Sequence, residues 1–154
     1  MSRSVARSVD PRGLRAAAAV TAIVLAAVVL TGNVWVLLAQ TVVFGVGAIA
    51  GLRFSPYGVL YRKLVAPRLP APAHREPEAP PRFAQAVGLV FAAIGVIGFA
   101  SGASWLGLSA TAIAWVAAFL NAAFGFCLGC ESYLLIRRVL PIRSVSATDK
   151  GVAA

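Results

Sequence analysis

Four runs of uncharged, mostly apolar residues constrain this sequence more than any other feature. At a rise of about 1.5 Å per residue, a helix of about 20 residues crosses a hydrocarbon core roughly 30 Å thick. A chain inside that core must satisfy its backbone hydrogen bonds internally, and a helix does so. The sequence therefore predicts an all-α membrane protein whose four transmembrane helices cover residues 16–31, 34–52, 83–100 and 105–126.

The composition and the turn signals agree with this interpretation. Hydrophobic residues make up 60% of the chain and charged residues only 12%, whereas about a quarter of an average soluble domain is charged. Turn-forming residues at 32–33 and 101–104 join the runs in pairs, so we expect two tandem helical hairpins, 16–52 and 83–126. The first run also resembles a signal peptide, but the later runs favour a membrane helix there.

Each predicted hairpin is followed by a basic segment. Residues 53–65 alternate apolar and basic groups, which predicts a short amphipathic helix in the membrane interface; an ordinary basic loop is the alternative. Residues 67–81 hold six of the nine prolines, so they are expected to form an extended linker. Residues 131–140 are a second amphipathic segment, within a C-terminal region that covers 127–154.

The distribution of positive charge predicts the orientation of the chain. All fourteen Lys and Arg residues lie at 1–15, 53–82 or 127–154, and the two predicted turns have none. With four spans these three segments share one face of the membrane, and the excess of positive charge places that face in the cytoplasm. We therefore expect both termini to be cytoplasmic. The net charge of +9 is then a topology signal, so the lipid bilayer is the predicted partner and nucleic acid is not.

The two halves of the sequence look alike. Pro11-Arg12 precedes the first hairpin and Pro81-Arg82 precedes the second, and each hairpin leads into a basic amphipathic segment. The similarity predicts a parallel internal repeat, with a pseudo-two-fold axis along the membrane normal. Chance similarity between two hydrophobic hairpins is the alternative.

Small and polar residues inside the runs predict how the helices pack. Helices in lipid associate through close backbone approach, which small residues allow. Three G-x-x-x-G pairs fit this need: Gly47 with Gly51, Gly98 with Gly102, and Gly125 with Gly129. Gln85 and Asn121 lie at similar depth and are expected to hydrogen-bond across two spans. No run carries a charge, which disfavours an ion-coupled pump but leaves a passive channel open.

The only two cysteines, Cys127 and Cys130, form a C-x-x-C at the end of the last apolar run. Two thiols at this spacing on a helix share a face and can exchange as a dithiol–disulfide pair. If the helix breaks at Gly129, Cys130 lies near the N-terminus of a new helix, a position that favours the thiolate form of a cysteine. A reducing cytoplasm argues against a permanent structural disulfide. Asn121 is the candidate for a polar pocket beneath the thiols.

Several roles remain open for Cys127 and Cys130. Thiol redox or sulfur transfer is the leading hypothesis, and packing of two small side chains is the simplest alternative. A metal site would have only two thiolates and His74 in one chain, so a homodimer would be needed for a four-cysteine zinc site. Acylation is a further alternative. No cofactor is predicted, and the apolar runs contain no acidic or histidine base for hydrolytic chemistry; a non-catalytic scaffold or small transporter is the rival class.

Four stretches of the chain resemble a small bacterial membrane family known as domain of unknown function 4395. They are residues 10–13 (DPRG), 53–58 (RFSPYG), 81–91 (PRFAQAVGLVF) and 119–131 (FLNAAFGFCLGCE). The resemblance implies four spans in a bacterial inner membrane and draws attention to Cys127 and Cys130, but it supplies no activity. Members often accompany thioredoxin-like and rhodanese-like sulfur proteins, so the resemblance implies a cytoplasmic partner of that kind.

Overall fold

The computed structural model describes residues 8–140, and this part of the chain is helical apart from one short strand pair. Strand β1 (Ser8–Val9) pairs antiparallel with β2 (Glu76–Pro77), and a 3-10 turn covers Ala66–Arg68. The predicted N-terminal and C-terminal segments lie partly outside the described residues. The six helices are α1 (Pro11–Thr31), α2 (Val34–Ile49), α3 (Pro56–Leu64), α4 (Ala79–Ala100), α5 (Ser104–Phe124) and α6 (Leu128–Val139).

Three of these helices are long and apolar enough to cross a membrane: α1, α4 and α5. Helix α2 is equally apolar but has 16 residues, which corresponds to a length of about 24 Å. The run 34–52 was expected to be helical to its end, but α2 stops at Ile49 because the chain turns at Gly51, whose φ is +102°. The structure therefore shows three helices of spanning length and one shorter apolar helix.

Other helix ends also differ from the prediction. Helix α1 begins at Pro11, five residues before the expected start at 16, because Asp10 caps it there. Helix α4 begins at Ala79, inside the segment expected to be an extended linker, with Pro80 and Pro81 in its first turn. The first turn tolerates proline because its N–H groups have no partner within the helix. Helix α5 ends at Phe124, two residues earlier than expected, because Gly125 adopts a left-handed conformation with φ of +70°.

Small residues and four large apolar ones fill the interior of the bundle, and many other large apolar side chains point outward. The four large buried side chains are Leu25, Val28, Leu37 and Phe44. Ile23 is 71% exposed and Leu30 is 84% exposed. Small buried residues include Ala18, Ala22, Ala92, Gly95, Gly98, Gly107, Ala110 and Ala114. Large apolar side chains exposed in such numbers are suited to lipid rather than water, so the packing agrees with the membrane protein that the composition predicts.

Helices α4 and α5 touch directly at Gly98 and Gly107. A Cβ atom placed on Gly98 would lie 2.5 Å from the backbone nitrogen of Gly107. Each predicted G-x-x-x-G pair contributes one glycine to such contacts and uses the other in a turn. The contacting glycines are Gly47, Gly98 and Gly129, and those with positive φ are Gly51, Gly102 and Gly125. The prediction that both glycines of each pair pack against another helix is therefore confirmed for only one glycine of each pair.

Two arginines link the halves of the chain reciprocally. Arg82, in the first turn of α4, donates from Nε to the Ala48 carbonyl at 2.7 Å and from Nη2 to the Ile49 carbonyl at 2.6 Å. Arg15, near the start of α1, donates from Nη2 to the carbonyls of Ala122 and Ala123, both at 3.4 Å. Each guanidinium thus caps the last turn of the other half's second helix, where the carbonyls lack partners and the dipole favours a cation.

The short helices make corresponding contacts in the two halves. The ring of Tyr61 in α3 lies against Gly13 of α1, and the ring of Tyr133 in α6 lies 5.6 Å from that of Phe83 in α4. Together with the reciprocal arginine caps, these contacts support the predicted internal repeat.

Helix α3 is anchored to the bundle by two tyrosines. The Tyr57 hydroxyl donates to Oε1 of Gln40, which is 1% exposed, at 2.7 Å. The Tyr61 hydroxyl donates to Asp10 at 3.4 Å. Burial and then the charge of Asp10 raise the pKa of Tyr61, so its hydroxyl stays protonated as a donor at neutral pH. Residues 56–64 therefore form the predicted helix rather than a loop, and its place in the membrane interface stays a prediction.

We predict that Gly98→Ala destabilises the protein and that Gly45→Ala does not. Alanine favours a helix interior by roughly 0.5–1 kcal/mol at either site. At Gly98 the new methyl group would clash with the backbone of Gly107, at a cost of about 1–3 kcal/mol. At Gly45 its nearest neighbour is a Leu89 methyl carbon 3.8 Å away. The midpoint of thermal unfolding in detergent is measured for both variants. Equal midpoints for Gly98→Ala and Gly45→Ala would contradict the proposed contact.

A second prediction concerns the arginine caps. Arg82→Met removes two charged hydrogen bonds to the end of α2 and should lower the free energy of unfolding by about 1–2 kcal/mol, because part of the guanidinium is exposed. Arg138→Met removes an exposed charge from α6, for which no hydrogen bond is found within residues 8–140, and serves as the matched control. The free energy of unfolding of the two variants is measured in a denaturing detergent. An equal decrease in both would argue against capping by Arg82.

A candidate dithiol site at the start of helix α6

The two cysteines lie where the chain leaves α5 and enters α6. The left-handed Gly125 ends α5, and Cys127 is the N-cap of α6, with φ of −90° and ψ of 99°. The predicted break at Gly129 is therefore wrong. Gly129 lies inside the first turn of α6, where a Cβ atom would come within 2.6 Å of Ala84 in α4. Glycine is required there by a helix contact and not by a turn.

Cys127 and Cys130 lie at disulfide distance, with their Cα atoms 5.2 Å apart. The backbone N–H of Cys130 donates to the Sγ atom of Cys127 at 3.3 Å. Helix N-termini present N–H groups without partners in the helix and favour negative charge. A thiolate formed at Cys127 on reduction of the pair would therefore be stabilised by this position.

Arg15 is a cation near this site that the sequence did not reveal. Its Nε atom lies 3.8 Å from the position that a Cβ on Gly125 would occupy, two residues before Cys127. Arg15 is 107 residues from its hydrogen-bond partner Ala122, so no local pattern joins them. Arg137 and Arg138 lie in the last turn of α6, and Glu131 is exposed in its first turn.

Both cysteines line a large, partly open cavity, with a volume of about 2040 Å³. Its walls come from α1, α3, α4, α5 and α6 and from the segment 66–78. Asn121, the predicted pocket residue, lines the same cavity, as does Gln85. The expected hydrogen bond between Gln85 and Asn121 is not found among the described residues, because the Gln85 side chain packs against Gly47 of α2 instead. Oε1 of Gln85 is buried without a partner among the described residues.

The surroundings of the pair are largely apolar and partly exposed. Phe124, Phe126 and Leu128 flank the cysteines and are all exposed. His74 is also exposed, with a single contact of 3.7 Å to Glu76. Within residues 8–140, no group of three or more His, Cys, Asp or Glu side chains gathers in one place, so the alternative metal site at Cys127 and Cys130 would need ligands from a second copy.

We predict that Cys127→Ala loosens the start of α6 more than Cys130→Ala does in the reduced protein. Only Cys127 caps the helix through its side chain, and loss of an N-cap costs about 1 kcal/mol. Hydrogen exchange of the first-turn amides should therefore be roughly five-fold faster in Cys127→Ala. Cys127→Ser should keep normal exchange because serine is a good N-cap. Equal exchange in all three variants would contradict the capping role.

Comparison with known proteins yields one match. No curated protein and no solved structure matches this chain. The sequence model of the family described as Domain of unknown function (DUF4395) matches residues 9–138, an interval that includes both cysteines and nearly all of the six helices. The chain therefore belongs to the DUF4395 family, as the resemblance of its motifs indicates.

Proposed function

We propose that this protein is a four-span protein of the bacterial inner membrane that uses Cys127 and Cys130 as a cytoplasm-facing dithiol for thiol redox or sulfur transfer. One observation carries the proposal: the two cysteines lie at disulfide distance, at the N-terminal end of α6 and on the wall of a large cavity. Two sulfur atoms held this close can form and break a disulfide within one turn of the chain.

The helix arrangement supports the four spans and their orientation. Helix α2 begins directly after the turn at Gly32, and its last carbonyls meet Arg82 from the start of α4. It therefore reaches the same end of the bundle as the dithiol, and the apolar sequence continues to Leu52. The end that holds Arg15 and Arg82 carries the positive charge, which favours a cytoplasmic location for this end.

The chemistry proposed is thiol–disulfide exchange with a cytoplasmic thioredoxin-like or rhodanese-like protein. A thiolate attacks one sulfur of the partner's disulfide and forms a mixed disulfide, and the partner's other sulfur leaves as a thiolate. The second cysteine then attacks the mixed disulfide, which leaves the pair oxidised and the partner as a dithiol. Cys127 is the proposed attacking sulfur, because its Sγ accepts the Cys130 N–H. The exposed Phe126 and Leu128 offer the partner an apolar contact.

The cavity supports a second candidate function. A non-catalytic scaffold or small transporter would use the cavity for passage or binding, with the cysteines packed or bound to a metal in a homodimer. Replacing both cysteines with serine separates the two candidates. If the protein is a scaffold or small transporter, cells with the double-serine variant should behave like wild-type cells. If the dithiol is the functional group, they should behave like cells that lack the protein.

The first test is the redox state of the pair in intact cells. Cells are quenched with acid before and after brief oxidant stress, and free thiols are alkylated with a mass-tagging reagent. We expect the number of free thiols per molecule to change reversibly between two and zero, because the two sulfur atoms are already adjacent. Cys130→Ser should then trap a mixed disulfide through Cys127, whereas Cys127→Ser should trap little.

Two other outcomes would contradict the proposal. If both thiols stay free and reactive under stress, the pair does not exchange. If they resist alkylation until a chelator is added, they hold a metal. Ser132→Cys in a Cys127→Ser/Cys130→Ser background is the control, since it places one exposed thiol on the same helix without the pair.

A further inference from the structure

Arginine side chains gather around the cavity that contains the cysteines. Five of them line it, and they come from the start of α1, the turn before α3, α3 itself and the segment 66–78: Arg12, Arg15, Arg53, Arg62 and Arg75. Arg15 also reaches the turn at Gly125, two residues before Cys127. The fold therefore brings cations from distant parts of the chain to one cavity.

None of these arginines forms an ion pair with a carboxylate of the described chain. Within residues 8–140, the only ion pair joins His74 and Glu76. Where the cavity arginines donate hydrogen bonds, the acceptors are backbone carbonyls, as when Arg12 donates to Pro70 at 3.2 Å. A guanidinium has five N–H donors in a geometry that matches a carboxylate. Much of this donor capacity is therefore open to a bound anion.

Acidic side chains also line the cavity, but most of them are already engaged by donors. Asp10 accepts a backbone N–H and a tyrosine hydroxyl, and the buried Glu78 accepts a backbone N–H at 2.8 Å. Glu76 contacts a histidine at 3.7 Å. Only Glu131 is exposed without a side-chain partner among the residues that the structure describes. The charge that can meet a ligand is therefore mainly positive.

The cavity has room for a small molecule beside the sulfur atoms. Its volume of about 2040 Å³ exceeds the roughly 300–1,000 Å³ of ordinary ligand pockets. Cys127 and Cys130 belong to its wall and are only half-buried. A ligand that enters the cavity can therefore contact a sulfur atom.

We propose that the cavity binds a small anionic thiol, one that carries a carboxylate, and that this thiol returns the Cys127–Cys130 disulfide to its reduced form. The inference rests on the proposed dithiol function and names the class of reductant which that function requires. Exchange with the protein partner leaves the pair oxidised, so a reductant must act before the next cycle. The arginines select the anion, and the cavity limits its size.

The reduction takes place in two exchange steps. A ligand thiolate attacks Sγ of Cys130, the S–S bond breaks, and Cys127 leaves as a thiolate. Cys127 is the better leaving group because its Sγ accepts the Cys130 N–H at the start of α6. A second ligand thiolate then attacks the ligand sulfur of the mixed disulfide, and Cys130 leaves. Two ligand thiols become one disulfide, and their two protons end on the two cysteines.

The test compares two thiols of similar size and opposite charge, using the full oxidised chain in nanodiscs of zwitterionic phosphatidylcholine. β-Mercaptopropionate carries a carboxylate, and cysteamine carries an ammonium group. The rate of reduction is followed by mass-tagging of the protein thiols. Each rate is divided by the rate at which the same thiol reduces the neutral hydroxyethyl disulfide, which removes differences in intrinsic reactivity.

We expect the normalised rate to be at least about ten-fold higher for β-mercaptopropionate than for cysteamine, because a cleft lined by one sign of charge concentrates the opposite ion. Added salt should reduce this preference, because it screens the arginines. Equal normalised rates, or a faster reaction with cysteamine, would overturn the inference.

Two variants test whether the cavity arginines cause the preference. Arg75→Gln removes a cavity arginine for which no hydrogen bond is found within residues 8–140, so the fold should stay intact. The loss of one charge should lower the preference about two- to three-fold. Arg138→Gln is the matched control, since Arg138 is also exposed but lies outside the cavity. Equal decreases in both variants would assign the preference to the net charge of the whole chain and overturn the cavity site.

The two proposals fail in different ways, and neutral β-mercaptoethanol separates them. If it reduces the pair and the charged thiols show no preference, the anionic-thiol inference is overturned and the dithiol function stands. If the oxidised pair reacts with none of the three thiols, the dithiol function is overturned and the inference with it.

Discussion

Close approach of helix backbones through small residues is the constraint on which the rest of this structure depends. Lipid chains are as apolar as leucine, so burying large apolar side chains between helices gains little. Gly98 and Gly107 allow α4 and α5 to touch directly, and α1 brings Ala18 and Ala22 inward. A few large side chains, Leu25, Val28, Leu37 and Phe44, are still buried between the helices. Others, such as Ile23 and Leu30, lie on the outer surface.

The same constraint explains why the bundle contains a cavity beside the cysteines. Where small residues face each other across a wider gap, no large side chain fills the space between the helices. Ala18 and Ala114 both line the cavity, and a leucine at either position would narrow it. Both cysteines lie in the wall of this cavity, so the packing that holds the helices together also leaves space beside the sulfur atoms.

Helix ends supply the polar part of the site. Carbonyls in the last turn of α5 have no partner within the helix, and Arg15 from α1 caps two of them. Gly125 then reverses the chain so that α6 starts with Cys127 as its N-cap. The positive end of α6 therefore lies at the sulfur atoms, and the Arg15 guanidinium lies beside Gly125, two residues before Cys127.

The sequence by itself determined the features that depend on composition along the chain. Uncharged runs predicted the long helices, the turns at Gly32 and Gly102 were visible as breaks, and Cys127 with Cys130 marked the site. These features are local, because hydrophobicity and backbone conformation act on neighbouring residues.

Only the tertiary structure decided which distant groups meet. It assigned one glycine of each pair to packing and the other to a turn, and it moved the helix break from Gly129 to Gly125. It brought Arg15 beside Gly125, two residues before Cys127. It also separated Gln85 from Asn121 and set both on a cavity wall. These outcomes depend on how closely two backbones approach across the bundle, which is a property of pairs of helices and is not encoded in either helix alone.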